Sequence, residues 1–155
     1  KAWKAGETLL IRRPDAIRPW QHVLEPLAGY LILAESLWSR PELAGSYNFG
    51  PKEQDLLSVK AIIELARKSF DNAKIVHGHV HEGPFESEYL ALDTSKAKNK
   101  LGYLPVWDCK ESVKRAMNWY VSWNAGETAS DLCNSDLDHY EYSRKINCQS
   151  LSIEL

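Results

Sequence analysis

Between Val23 and Trp38 the apolar residues Val23, Leu27, Tyr30, Leu31, Ala34, Leu37 and Trp38 recur three and four positions apart, the period of one helix face. The pattern ends before Arg40-Pro41. A second such stretch runs from Leu56 to Phe70, with Leu56, Val59, Ile62, Ile63 and Ala66 on one side. Residues 110 to 124 predict a last helix, with Val113, Met117, Tyr120 and Val121 inward. Short runs separate these helices: "TLLIRR" and "AKIVHGHV" as strands, "SYNFGP" as a brief buried strand stopped by Gly50-Pro51, and "EYLAL" as another. "PDAIRP" reads as a turn region and "YLPVW" as extended chain. Asp93 is the expected N-cap of a short helix over "TSKAKNKLG", with Gly102 at its end. Helices alternating with short strands predict an α/β fold. The division expected is a body over 1–126 and a polar, irregular, loosely attached tail over 127–155.

The 155 residues are enough for one domain with a core of its own. A net charge of −2 creates no global field for nucleic acid, so anion recognition has to be local. The apolar run "LAGYLILAESLW" is broken by Glu35 and Ser36 and falls short of the ~20 residues of a membrane span. Cys109, Cys133 and Cys148 are odd in number and far apart, which excludes a disulfide framework and a thiolate metal site. A cytoplasmic location is the expectation. "KAWKAGETLL" reads as the end of a helix stopped at Gly6, and with Lys1 in first place the chain is expected to be a piece of something longer.

The chemistry-bearing motifs are few. His77, His79 and His81 alternate in "HGHVH", so on a strand they would share a face, yet no nearby carboxylate pair completes a catalytic metal site. Glu82, Glu86 and Glu88 cluster in a loop, where carboxylates are usually solvated; one of them beside a sugar hydroxyl is the functional alternative. Neither G-x-S-x-G nor a Gly-rich phosphate loop is present. The sharpest signal is "RRPDAIRPWQHVLEPL" (12–27), which gathers Arg12, Arg13 and Arg18 around prolines. Guanidinium groups keep their charge and donate two parallel hydrogen bonds to phosphate. The flanking prolines limit the freedom lost on binding. Surface arginines whose stems cover apolar groups are the alternative.

The run "IRRPDAIRPWQHVLEPLAGYLILAESL" resembles the signature of the CDP-glucose 4,6-dehydratases, a branch of the extended short-chain dehydrogenase/reductases. "YNFGP" (47–51), "GPFESEYLALDTSKAKNKLGY" (83–103), "LPVW" (104–107) and "SVKRAMNWYVSW" (112–123) follow in the family's order. The resemblance covers residues 1 to 126 and implies the C-terminal, substrate-binding portion of such an enzyme. It also implies that Arg18 grips the substrate diphosphate, that Leu10 and Arg12 run past the nucleotide base, and that His22 belongs to the same pocket wall. Glu86 would lie at the sugar nucleotide, although "GPFES" lacks the histidine usual before that acid. Arg13 stands where relatives more often carry Asn.

In that family a bound NAD takes a hydride from the glucose and returns it, and a Tyr-x-x-x-Lys pair moves the first proton. The Gly-rich NAD loop and the Tyr-x-x-x-Lys pair precede this region in the family, and neither occurs in these 155 residues. The expected fold is therefore α/β with the Rossmann half missing, without dehydratase activity of its own. The implied partners are CDP-glucose, an NAD-binding half or another subunit, and further copies in a homo-oligomer, but neither nucleic acid nor a membrane. The implied setting is 3,6-dideoxyhexose synthesis for surface polysaccharide. Without the NAD half, the Val23–Trp38 face is expected to stand exposed. A sugar-nucleotide enzyme for another base, or a non-catalytic binding module, remain as alternatives.

Overall fold

The structure is a computed structural model that describes residues 1–70, 73–78 and 87–151, the last four by their backbone alone. It is mixed α/β, with five helices and short strands, as expected. Strand β1 (Leu9–Ile11) pairs in parallel with β4 (Ile75–His77), Leu9 opposite Ile75 and Ile11 opposite His77. A second ladder forms where the sequence predicts only a turn: β2 (Ile17–Arg18) runs antiparallel to β3 (Leu57–Ser58). Ile17 also bridges Tyr89 in parallel, its N–H donating to the Glu88 carbonyl at 2.8 Å and its carbonyl accepting from Leu90 at 3.1 Å. That bridge replaces the strand predicted for "EYLAL".

Helix α2 (Val59–Ala66) grows directly out of β3. Its first turn carries amide groups with no partner inside the helix. Ser58 Oγ accepts from Ala61, and the carbonyls of Ala16 and Pro14 accept from Val59 at 2.9 Å and Lys60 at 2.8 Å. The turn before β2 is thereby locked onto the start of α2, and Ile62 and Ala66 bury the predicted side.

Helix α1 (Leu24–Ser39) has the predicted length. Glu25 and Gly29 are buried, and Ile32 and Leu33 pack on a core of Phe49, Ala97 and Tyr103. Val23, Leu27, Tyr30, Leu31 and Trp38 point outward, with Trp38 94 % exposed. The apolar periodicity thus marks a real face, and that face stands exposed.

Residues 47–51 are irregular rather than a strand, although Phe49 is buried edge-on to Tyr103, 4.9 Å between centroids. Helix α3 (Ser95–Leu101) ends at Gly102, whose φ of 66° is the left-handed cap conformation natural to glycine. Asp93 sits one residue before the cap, its Oδ1 accepting from Ser95 at 2.9 Å. Helix α4 (Cys109–Asn124) starts at Asp108, whose Oδ1 accepts from Glu111 at 2.7 Å. It buries Cys109 and Ser112, while Tyr120 and Val121, expected inward, are exposed.

The irregular tail expected over 127–155 instead carries a long helix, α5 (Ala129–Leu151). Thr128 caps its first turn: Thr128 Oγ1 accepts from the Asp131 amide at 3.2 Å and donates to the Asp131 carboxylate at 2.7 Å. Leu132 and Tyr140 are buried, so α5 is packed rather than loosely attached. Among the described residues no helix is long and apolar enough to cross a membrane.

Candidate functional site

Arg18 ends β2, where the pairing of Ile17 and Arg18 with Ser58 and Leu57 fixes its backbone. Its guanidinium is half-buried, and Nη1 donates to the Ile17 carbonyl at 2.8 Å. The next residues are tied down one after another. Trp20 Nε1 donates to the Leu57 carbonyl at 3.2 Å, and Gln21 Nε2 to the Phe49 carbonyl at 3.0 Å. The Arg-Pro-Trp run thus forms a fixed wall between β3 and the 47–51 segment. Leu10, 55 % exposed, lies in β1, and the exposed Arg12 follows the end of that strand.

His22 closes the wall from within. It is buried, its Nδ1 accepts from the Leu24 amide at 3.3 Å, and its ring meets Trp107 edge-on at 5.0 Å. Burial lowers its pKa; the nearby Asp136, with a carboxylate oxygen 3.9 Å from Nε2, acts the other way, and Arg115 adds to the lowering. Glu86 lies outside the described residues, as do His79 and His81. The adjoining Glu88–Leu90 lies beside Ile17. Leu56 and Tyr89, which flank that ladder, line a cleft of about 330 Å³.

A heavily bonded polar group among the described residues is one the sequence reading passed over. Glu25 is 0 % exposed, one turn beyond His22. Its carboxylate accepts from the amides of Val106 (3.1 Å) and Trp107 (2.8 Å) and from the Tyr140 hydroxyl (2.8 Å). Burial raises its pKa against the lowering effect of those same donors and of Lys52. Tyr103 and Tyr140 are raised too, by burial first and then by the Glu25 charge. The signal available in the sequence was an acidic residue on the first turn of a helix, within "HVLEPL".

A larger groove of about 920 Å³ lies between Val106-Trp107, the start of α4 and α5. Lys52, Lys110, Lys114 and Arg144 line it, as do Asp108 and Glu111. Glu111 already pairs with Lys114 at 3.4 Å and with Arg115 at 2.8 Å, and Asp108 caps α4, so this is a mixed ionic surface rather than an anion trap. Cys109 is buried, and its thiol is pushed up to about 11 by burial first, then by Asp55 and Asp108, which suits packing and not nucleophilic attack. Among the described residues no three His, Cys, Asp or Glu side chains form a metal-binding group.

Five helices and short strands among the described residues are consistent with a partial short-chain dehydrogenase/reductase domain. No family model matches the chain. It is 36 % identical over 143 residues, 90 % of its length, to the CDP-glucose 4,6-dehydratase of Salmonella typhimurium. The chain is a relative of that dehydratase, as the motifs implied, and spans 39 % of that protein's length.

Proposed function

We propose that this chain is the C-terminal, substrate-binding portion of a CDP-glucose 4,6-dehydratase, and that the Arg18 wall receives the substrate diphosphate. The similarity to the Salmonella dehydratase over 90 % of the chain carries this reading. The parent reaction, with NAD as the hydride carrier, converts CDP-D-glucose into CDP-4-dehydro-6-deoxy-D-glucose and water. Arg18 is the suitable diphosphate ligand because its backbone is set by β2 and β3, so little freedom is lost on binding. Leu10 in β1 and Arg12 just after it flank the base, Glu86 meets the sugar nucleotide, and His22 backs the wall.

These residues bind and orient; they do not transfer hydride or remove the first proton. No Gly-rich strand-to-helix turn is present to cradle a dinucleotide, so the residues here do not fit NAD, and on this reading the NAD-binding half lies outside this sequence or on another subunit. The exposed apolar face of α1 supports association with such a half, or with further copies of the chain.

Calorimetric titration of the folded 155-residue chain with CDP, UDP, dTDP and GDP tests the proposal. CDP is expected to bind in preference, and Arg18→Ala to weaken it about tenfold or more, since hydrogen bonds to charged groups contribute ~1.5–3 kcal/mol. Preference for another base would move the chain to a related sugar-nucleotide enzyme, and a folded chain that binds none of the four would overturn the reading. Incubation with CDP-glucose and NAD is expected to give no product; turnover would refute inactivity of the isolated chain.

A further inference from the structure

Beyond the buried Leu132, one face of α5 continues in polar and aromatic residues. Asp136, Tyr140, Ser143 and Asn147 follow at spacings of four, three and four, so they share one side of the helix. Each meets the same short region. Asp136 stands 3.9 Å from His22, and Tyr140 donates to Glu25 at 2.8 Å. Ser143 Oγ accepts from Trp107 Nε1 at 3.1 Å, and Asn147 Nδ2 donates to the Val106 carbonyl at 3.2 Å. Trp107 lies edge-on to both His22 and Tyr140, each 5.0 Å away. Arg115 of α4 closes the circle, 3.7 Å from Asp136 and over the Trp107 ring.

His22 and Glu25 are the inner end of the wall that begins at Arg18. Trp20 and Gln21 are held by β3 and by the 47–51 segment, whereas His22 and Glu25 are held from α5 and from Val106-Trp107, which α5 itself braces. We propose that α5 is a positioning strap: through Tyr140 on Glu25, with Asp136 beside His22, it sets where the inner end of the Arg18–His22 wall stands. That the wall binds a nucleotide diphosphate rests on the function proposed above. The coupling from α5 to the wall does not.

Amide hydrogen exchange on the full chain, read at Arg18, Trp20–Glu25 and Val106–Trp107, separates the two claims. Tyr140→Phe keeps the ring against Trp107 and removes a single donor; Asp136→Asn removes a charge and keeps the shape. Tyr140→Phe is expected to speed exchange in those segments about tenfold and Asp136→Asn, whose carboxylate stands 3.9 Å from His22, by a smaller factor, while β1 and β4 exchange as in the wild type. Tyr142→Phe, on the same helix at a 66 % exposed position, is expected to change nothing. CDP affinity is expected to fall about three- to tenfold in Tyr140→Phe, in step with wall exchange.

Unchanged exchange at Trp20–Glu25 in both variants would overturn the strap. Uniform acceleration that reaches β1 and β4 would also overturn it, reducing α5 to ordinary stability. Failure of the wild type to bind CDP would remove the proposed ligand and leave the strap to be judged by exchange alone.

Discussion

Gly29 lies mid-helix in α1, where replacement by alanine ordinarily stabilises by about 0.5–1 kcal/mol. Here the added Cβ would meet the Phe49 ring at 2.4 Å from Cδ1, 2.6 Å from Cγ and 2.7 Å from Cε1. Carbon atoms pack best at about 3.5–4.0 Å, so three atoms of the ring would have to retreat by roughly 1 Å. The ring is hemmed in: Phe49 is 7 % exposed, with Tyr103 edge-on at 4.9 Å, Tyr30 at 5.6 Å and Tyr47 stacked at 6.4 Å. Overpacking of a filled core costs about 1–3 kcal/mol, and three short contacts put Gly29→Ala at the upper end. Subtracting the helix gain leaves a net loss of about 2 kcal/mol. At about 2–4 °C per kcal/mol for a chain of this size, that lowers Tm by about 4–8 °C. Urea unfolding followed by circular dichroism measures it, with Phe49→Leu as the partner mutation. In the Phe49→Leu background the space opens, and Gly29→Ala is expected to become neutral or stabilising. An alanine variant as stable as the wild type would show that the ring moves freely, and the reasoning from core packing would be wrong.

Two further outcomes are expected. Burial holds the Glu25 carboxyl above its usual 4.5 despite the opposing donors of Trp107, Val106 and Tyr140. The folded state therefore favours the protonated acid, and the resulting stability is complete below pH 4.5 and lost as pH rises through the elevated folded value. The stability of wild type relative to Glu25→Gln should fall across that window, a difference in which the contribution of His22 cancels; a flat difference would refute a raised pKa. On α1, Leu31→Lys and Trp38→Lys, at positions 72 % and 94 % exposed, should leave the melting curve nearly unchanged while reducing self-association in sedimentation velocity. Loss of folding in these variants would mean that the face is packed, contrary to the structure.

Much of the architecture was legible because it is local. The lengths of α1 and α4 follow from period and punctuation, and the ends of α3 from Asp93 and Gly102. The ladder of β2 on β3 was hidden because two-residue strands carry no period and Ile17-Arg18 is flanked by prolines. Helix α5 was missed because beyond Leu132 the face that meets the body is Asp136, Tyr140, Ser143 and Asn147, residues that a search for apolar periodicity passes over; "TASD" at 128–131 was the available signal. At the candidate site, the Arg-Pro-Trp wall was visible as composition and as family resemblance, whereas the clamp around Glu25 was not.

The sequence by itself determined the α/β character, the lengths of α1, α3 and α4, the relationship to a sugar-nucleotide dehydratase and the presence of an arginine-rich run, all of which rest on residues near one another in the chain. Only the tertiary structure decided which face of α1 turns inward and what holds the wall in place. Glu25 and Tyr140 are 115 positions apart, and a buried carboxylate persists only where such distant donors converge on it. Periodicity records that a face exists; the partners that fold against it decide which way it points.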